Sequence, residues 1–290
     1  MNVYMKTIEM TAYGKINLGL DVIRKLENGY HEMDMVMQTV TLADNIGFEV
    51  LEEDEIVFTT NKKDLPMGED NLVYRAIAGM KEEFQIKKGI KAHLIKNIPM
   101  AAGMAGGSTD CAATLEAMNL LFDLGLTKEE LMERGVKYGA DVPYCIKKGT
   151  ARAKGIGEKV TAIEPFPACH IILAKPAVSV STKFIFEQLE VDKIKEHPDI
   201  EMLSKAIEQG DLQEISKYMG NVLEEVTVKH YPKIQEIKES MMDCGALNAL
   251  MTGSGPTVFG IFNDLKKAQK AQEILEQEEE LDFVIMSHPC

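Results

Sequence analysis

The chain of 290 residues contains no tryptophan, and aromatic residues make up only 6% of it. Large aromatic platforms for stacking bases or sugars are therefore not expected. The five cysteines include no C-x-x-C pair, which favours reduced thiols in a cytosolic protein over a disulfide framework. We find no apolar run of about 18 residues and no amino-terminal signal pattern, so we expect a cytoplasmic protein without a membrane span.

Basic residues are in the minority, and the formal net charge is −14. A protein that binds nucleic acid normally presents a basic face, so the charge argues against a nucleic-acid partner. A polyphosphate would have to be held in this protein by local N–H groups, lysines or Mg²⁺. The hydrophobic fraction of 45% and charged fraction of 27% are typical of a globular enzyme. We expect a monomer or a weak homodimer.

Several catalytic signatures are also missing. The six histidines show no H-E-x-x-H or paired ligand spacing, so no protein metal site is predicted. The sequence has no Gly-Lys-Ser/Thr phosphate loop and no G-x-S-x-G elbow. The H-R-D and D-F-G motifs of protein kinases are absent too.

Predicted strands and helices are mixed unevenly in both halves, which favours an α+β fold over a doubly wound sheet. The length favours two domains of roughly 150 residues each, and we divide them as 1–158 and 159–290. Sequence patterns predict helices over 71–84 and 199–219 and a strand over 144–153. A capping box formed by Thr127 and Glu130 predicts a further helix over 127–138.

A glycine-rich segment, Gly103-Met-Ala-Gly-Gly-Ser-Thr-Asp110, separates a predicted strand from a predicted helix. A bare backbone can approach a phosphate closely, and the helix that follows adds its positive end. The segment therefore predicts a phosphate-binding loop, and a tight turn packed against a neighbour is the alternative. Asp110 would have to turn away from the phosphate, or meet a ribose or base.

Three other features carry candidate chemistry. Lys15 and Asn17 share the polar face of an alternating strand, which otherwise predicts a solvated surface. Asp141 lies in a turn before Pro143, where it is either a base for a hydroxyl group or an Asx-turn residue. The turn 252–256 is a second glycine loop or a plain hairpin connection.

Together these motifs resemble the GHMP kinase superfamily. Further blocks narrow the resemblance to its kinases for a cytidine diphosphate-linked polyol in non-mevalonate isoprenoid synthesis. They are 12–18, 29–31, 42–44, 70–72, 139–143, 155–158 and 253–256. The resemblance implies a ribosomal protein S5 domain 2-like N-terminal domain, a ferredoxin-like C-terminal domain and an active site in the cleft between them. A homoserine- or mevalonate-type kinase, a diphosphate decarboxylase and a silent S5-like binding module are the alternatives.

The resemblance also implies roles for individual residues, with ATP and Mg²⁺ as cofactors. Asp141 would accept or align the hydroxyl proton, and Lys15 would hold Asp141 ionised and steady the transferring phosphoryl group. Asn17 would contact the substrate, Tyr30 and Phe186 would sandwich the cytosine, and His31 would bind its edge. The implied ATP-binding residues are Pro99, Met100, Ala101, Ala102, Gly103, Met104, Ala105, Gly106, Gly107, Ser108, Thr109, Asn71, Leu72 and Lys96.

Overall fold

The computed structural model describes residues 6–290, which divide into two compact units. The first unit comprises the described residues up to Gly14, Leu42–Met100 and Ala105–Lys147. The second comprises Lys15–Thr41, Ala101–Met104 and Lys148–Cys290. Both units combine strands with helices, which confirms the predicted α+β class, while the boundary at residue 158 stays a prediction.

The strands are β1 (Thr7–Lys25), β2 (His31–Leu51), β3 (Ile56–Thr60), β4 (Gly89–Ile95), β5 (Thr150–Gly155), β6 (Lys159–Ala162), β7 (His170–Pro176), β8 (Gly220–Asn221), β9 (Asn248–Met251), β10 (Val258–Phe262) and β11 (Leu281–Ser287). The helices are α1 (Leu72–Glu83), α2 (Gly106–Leu121), α3 (Lys128–Gly135), α4 (Val142–Lys147), α5 (Thr182–Gln188), α6 (Ile200–Gln209), α7 (Leu212–Tyr218), α8 (Glu224–His230), α9 (Lys233–Asp243) and α10 (Leu265–Leu275). Within residues 6–290, no helix combines the length and apolar character needed to cross a membrane.

In the first unit the strands lie in the order β3-β4-β2-β1. Strands β2 and β4 are antiparallel, with Asn45 opposite Ile95. This register brings the next pair along the ladder, Asp44 and Lys96, side by side. The ladder therefore positions two charged residues that are distant in sequence.

The helices of the first unit follow local signals. Apolar residues of α1 recur at helical spacing and are buried, namely Val73, Ala76, Ile77 and Met80. The predicted capping box of Thr127 and Glu130 starts α3, since each side chain bonds the other residue's backbone N–H. Helix α2 is instead buried on most of its sides, which makes it the central helix of this unit.

Two predicted elements are wrong. Residues 144–153 are not one strand, because α4 takes up the first half and β5 begins only at Thr150. A short apolar run does not distinguish a buried strand from a buried helix, and Pro143 is tolerated in a first helical turn. Residues 199–219 are two helices, because Gly210 ends α6 with φ of 71° and Asp211 caps α7.

In the second unit, β5 pairs antiparallel with β2 and with β6, and β8 runs parallel to β1. A separate antiparallel sheet has the order β11-β7-β10-β9. Its elements follow one another as β7, α9, β9, β10, α10 and β11, with further helices inserted after β7. That βαββαβ order is the ferredoxin-like arrangement, which confirms the predicted fold of the C-terminal part. Strand β10 is buried along its whole length and forms the centre of this core.

Candidate active site

The glycine-rich segment enters α2 through residues with left-handed backbone. The φ angles are 49° at Ala101, 72° at Gly103 and 57° at Ala105. Helix α2 begins at Gly106, with no side-chain cap from the described residues and no acidic residue in its first turn. The first N–H groups of a helix lack intrahelical partners, and the helix dipole makes that end positive. This is the arrangement that an anion site requires.

Two glycines of this segment are required by close contacts. A Cβ atom on Gly106 would lie 2.9 Å from the Nζ atom of Lys96 and 3.1 Å from a methyl carbon of Ile98. A Cβ atom on Gly103 would lie 2.2 Å from the carbonyl oxygen of Thr252. Contacts within the protein are therefore enough to require glycine at these two positions, whether or not the loop also binds a ligand.

The ammonium group of Lys96 is buried between two carboxylates. It donates to Asp44 at 2.5 Å and to Asp110 at 2.6 Å, and all three side chains are almost fully buried. The other oxygen of Asp44 accepts the backbone N–H groups of Asn97 and Ile98, at 2.6 and 2.8 Å. The triad therefore joins the end of β4 to the first turns of α2.

Asp110 points into this triad. The sequence left two positions for its carboxylate, away from a phosphate or against a ribose or base, and it lies against Lys96. Its second oxygen has no hydrogen-bond partner among the described residues. Burial, which outweighs the attraction of Lys96, raises the pKa of Asp110 well above its usual range. Burial therefore works against ionisation of this carboxyl group, whereas the ammonium of Lys96 favours it.

Asn71 and Leu72 open helix α1. The Asn71 side chain accepts the N–H of Val73 at 2.8 Å and donates to the carbonyl of Pro66, also at 2.8 Å. Leu72 lies near the start of α2, since a Cβ atom on Gly107 would be 3.6 Å from its Cδ1 atom. Asn71 thus has a structural role as a helix cap, and nucleotide binding by either residue stays a prediction.

Asp141 lies directly before α4, and its carbonyl accepts the N–H of Cys145 at 3.0 Å. The side chain is only partly buried. Two residues earlier, a Cβ atom on Gly139 would be 3.8 Å from the hydroxyl oxygen of Ser108. The turn that carries Asp141 therefore adjoins the first turn of α2 within the first unit. No observation tests its role as a base.

Lys15 and Asn17 contact each other, as the alternation of the strand predicts. The Nζ atom of Lys15 donates to Oδ1 of Asn17 at 2.7 Å. Both side chains are buried, Lys15 with 5% and Asn17 with 0% of its surface exposed. The alternative of a solvated outer face is therefore wrong. A buried ammonium held by one amide oxygen is available to a further anion.

The same amide oxygen holds the second glycine loop. Oδ1 of Asn17 accepts the N–H of Gly253 at 3.0 Å, and the Thr252 hydroxyl lies 3.3 Å from it. That hydroxyl also accepts the N–H of Asn17 at 3.1 Å and lies 3.2 Å from the carbonyl oxygen of Gly103. Within the second unit, four predicted parts thus meet: Lys15, Asn17, the Gly253 turn and the first part of the glycine-rich segment.

A second group in this unit contains the aromatic candidates. The turn at Asn28 and Gly29 presents Tyr30, whose surface is 59% exposed. The rings of His31 and Phe186 are 5.0 Å apart and tilted by 34°. The prediction that these residues hold a cytosine is untested, but the structure does bring His31 and Phe186 together.

His31 is buried and has an unused polar atom. Its Nε2 atom has no partner among the residues that the structure describes. Burial, followed by the positive charge of Lys25, lowers the pKa of the imidazole, which favours the neutral ring. One ring nitrogen of a neutral imidazole donates and the other accepts, so the Nε2 atom has one hydrogen bond to offer.

Sequence reasoning missed two residues of these networks as candidates in their own right. Asp44 appeared only within the block 42–44, without a role. Asn221 was not noticed, because a lone asparagine before an apolar pair carries no motif. Throughout residues 6–290, no group of three or more His, Cys, Asp or Glu side chains is arranged to hold a metal ion.

Comparison with known proteins identifies the family to which this chain belongs. The model of the GHMP kinases N terminal domain matches residues 71–149, and the model of the GHMP kinases C terminal domain matches residues 203–280. A relative from Lachnospira eligens, named 4-diphosphocytidyl-2-C-methyl-D-erythritol kinase, is 51% identical over 276 residues. That match covers 95% of this chain and 96% of the relative.

Solved structures of kinases have the same fold as this chain. A crystal structure of 4-(cytidine 5'-diphospho)-2C-methyl-D-erythritol kinase superposes with a TM-score of 0.83 at 27% identity, covering 98% of this chain and 100% of that one. Homoserine kinase from Cytophaga hutchinsonii superposes with a TM-score of 0.76 at 20% identity, covering 99% of this chain and 97% of that one. The second likeness concerns the fold alone.

Proposed function

This chain belongs to the GHMP kinases and, within them, to the 4-diphosphocytidyl-2-C-methyl-D-erythritol kinases, and from that membership we propose its reaction and the roles of its residues. It is a small-molecule kinase of a family that uses ATP. The proposed reaction transfers the γ-phosphoryl group of ATP to the 2-hydroxyl of 4-diphosphocytidyl-2-C-methyl-D-erythritol. The observation that carries the proposal is the buried ammonium of Lys15, held 2.7 Å from Asn17.

Phosphoryl transfer asks the protein mainly for in-line positioning and for neutralisation of charge. In a protein with a net charge of −14, positive charge has to be supplied locally. The uncapped start of α2 and the loop residues 99–109 would bind the phosphates through backbone N–H groups. Charge-assisted bonds of this kind contribute about 1.5–3 kcal/mol each. The absence of an acidic residue in the first turn of α2 fits a phosphate there.

Mg²⁺ would arrive with ATP and supply further positive charge between the phosphates. We assign no protein ligand to it, since no cluster of acidic side chains suited to a metal lies within residues 6–290.

Asp141 and Lys15 would act on the acceptor. As the hydroxyl oxygen attacks phosphorus and the bond to ADP breaks, the hydroxyl proton would pass to the carboxylate of Asp141. Lys15 would keep that carboxylate ionised and balance the charge of the transferring group. Partial exposure leaves Asp141 accessible to a substrate, which supports the role.

The acceptor would be recognised by its base. Tyr30 and Phe186 would stack on the cytosine, and the unpartnered Nε2 atom of buried His31 would bond its edge. Asn17 is proposed to contact the substrate, although its Oδ1 atom already serves Lys15 and Gly253.

We further propose that the enzyme works in the cytoplasm as a monomer or weak homodimer and binds no nucleic acid. The acidic balance supports the last point, because a phosphate backbone would be repelled. We keep the domain division at residue 158 as part of the same proposal.

One assay tests the reaction. Purified protein with Mg-ATP is offered the cytidyl substrate, homoserine or mevalonate, and ADP release is measured. We expect release with the cytidyl substrate alone, slowed roughly 10²–10⁴-fold in the Asp141→Asn variant. Turnover with homoserine or mevalonate, and none with the cytidyl compound, would replace the proposal with another kinase of the superfamily.

A further inference from the structure

Asn221 is a buried amide whose hydrogen bonds converge on one turn. It lies in β8, where its backbone pairs with Leu20 of β1, and only 7% of its surface is exposed. Its Nδ2 atom donates to the carbonyl oxygens of Met251 and Gly253, both at 2.8 Å. Its Oδ1 atom accepts the N–H of Leu223 at 3.0 Å. Both donors of the amide are therefore used.

The turn that Asn221 holds is also bonded on its other side. The carbonyl of Gly253 faces Asn221, while its N–H donates to Oδ1 of Asn17 at 3.0 Å. That same oxygen accepts the ammonium of Lys15 at 2.7 Å. A continuous chain of hydrogen bonds thus runs from Asn221 through Gly253 and Asn17 to Lys15, all within the second unit.

We propose that Asn221 is a positioning residue for phosphoryl transfer, which acts by fixing Gly253 and, through Asn17, the ammonium of Lys15. The inference rests on the proposed function, because it assumes that Lys15 serves the reaction. No described contact joins Asn221 to Lys15 directly, so its effect has to pass through the turn. A displacement of about 1 Å, caused by a mutation far from the reacting atoms, can lower the rate by about 100-fold.

The proposal commits to a particular kinetic pattern. Asn221→Asp keeps the shape of the side chain and its acceptor toward Leu223, but removes both donors. The carbonyls of Met251 and Gly253 then face a carboxylate oxygen, and the turn loses its anchor. We expect kcat to fall roughly 10- to 100-fold, with the KM for ATP changed by less than about twofold.

The chain offers a matched control in Asn248, an asparagine of β9 in the same unit. Its Nδ2 atom donates to the carbonyl of Ser216 at 2.6 Å, and its Oδ1 atom accepts the N–H of Ala249 at 2.7 Å. Asn248→Asp thus introduces the same chemistry beside backbone groups that do not belong to the Gly253 turn. We expect it to retain kcat near that of the wild-type protein.

Amide hydrogen exchange supplies a readout that does not require turnover. The segment 251–257 is expected to exchange faster in Asn221→Asp than in the wild-type protein or in Asn248→Asp. If exchange is unchanged, Asn221 does not hold the turn and the proposal is wrong. If exchange rises while kcat stays equal to that of Asn248→Asp, the contact is structural only and the positioning role is wrong.

Two further outcomes can be told apart from a failure of the positioning role. If circular dichroism shows that Asn221→Asp is unfolded, Asn221→Ser replaces the amide by one uncharged hydroxyl group and is measured in the same way, with the same expected direction. If the wild-type protein releases no ADP with the cytidyl substrate, the proposed function is wrong, and the positioning role is wrong with it. The exchange experiment still decides whether Asn221 fixes the turn.

Discussion

Lys96 donates to Asp110 at 2.6 Å inside the first unit, where neither side chain is more than 4% exposed. Asp110 belongs to α2, and Lys96 follows the last strand before the glycine-rich segment. The pair therefore joins the last residue of that segment to the residue after β4. Because the ammonium of Lys96 also donates to Asp44, two of its donors are already used by carboxylates.

The raised pKa of Asp110 predicts a pH dependence of stability. Burial raises the pKa above its unfolded value of 3.8, so the folded protein retains a proton that the unfolded chain releases. The contribution of this group is complete below about pH 4 and is lost as the pH rises toward the folded pKa. Asp110→Asn, which cannot titrate, should therefore gain stability relative to the wild-type protein as the pH rises.

Urea unfolding at about pH 5 and pH 8 would measure this difference. Asp123→Asn is the control for loss of one exposed carboxylate, since the Asp123 side chain is 82% exposed. If the free energies of unfolding of Asp110→Asn and the wild-type protein differ by the same amount at both pH values, the prediction is wrong.

A second prediction concerns Lys96. Removing one partner of a buried charge group leaves the other charges uncompensated, at a cost of about 3–5 kcal/mol. Lys96→Met should therefore lower the free energy of unfolding by that amount in urea titrations. Lys91→Met in β4 removes a half-exposed partner of Glu49 at 3.5 Å and should cost only about 0–1 kcal/mol.

The same variant tests the ATP-binding role that the family resemblance implies for Lys96. If Lys96→Met folds with normal stability and shows only a raised KM for ATP, the amine serves the nucleotide and the structural account is wrong. If stability falls while the KM for ATP changes little, the lysine acts mainly by holding α2 to the end of β4.

Features that depend on neighbouring residues could be predicted from the sequence. Lys15 and Asn17 are two residues apart on one strand, so a period of two was enough to place them together. The capping box at Thr127 needed only the residue three positions later. Such signals lie within one element and do not depend on the rest of the fold.

The networks that fix these residues could not be predicted, because their partners are far apart in sequence. Lys96 and Asp44 are 52 positions apart, and Asn221 and Gly253 are 32 apart. Their contacts depend on strand register and on the docking of a two-residue strand, and neither has a sequence pattern of its own. The burial of Lys15 could not be predicted for the same reason. A polar strand face by itself predicts exposure to solvent, and the turn that covers it is distant in sequence.

A third prediction concerns Asp141. General-base assistance contributes roughly 10²–10⁴-fold, so Asp141→Asn should lower kcat by an amount in that range. ATP should still bind, as equilibrium dialysis would show, because the start of α2 is unchanged. Asp64→Asn, at an exposed site of the same unit, should leave kcat unaltered. Near-normal turnover in Asp141→Asn would remove this residue from the role.

The last prediction separates recognition of the base from the chemical step. Tyr30 is 59% exposed and makes no ring contact with His31 or Phe186, so its removal should not disturb their pair. Stacking on a base contributes roughly 1–3 kcal/mol, which corresponds to about 5- to 150-fold in affinity. Tyr30→Ala should raise the KM for the cytidyl substrate by that factor, with a smaller change in kcat, as expected when ground-state binding is lost.

Tyr30→Phe is the matched variant, because it keeps the ring and removes only the hydroxyl group. Its KM should stay close to that of the wild-type protein if the ring acts by stacking. An equal rise in both variants would mean that the hydroxyl group, and not the ring, contacts the substrate. An unchanged KM in Tyr30→Ala would mean that His31 and Phe186 recognise the base without it, since those two rings are already held together in the second unit.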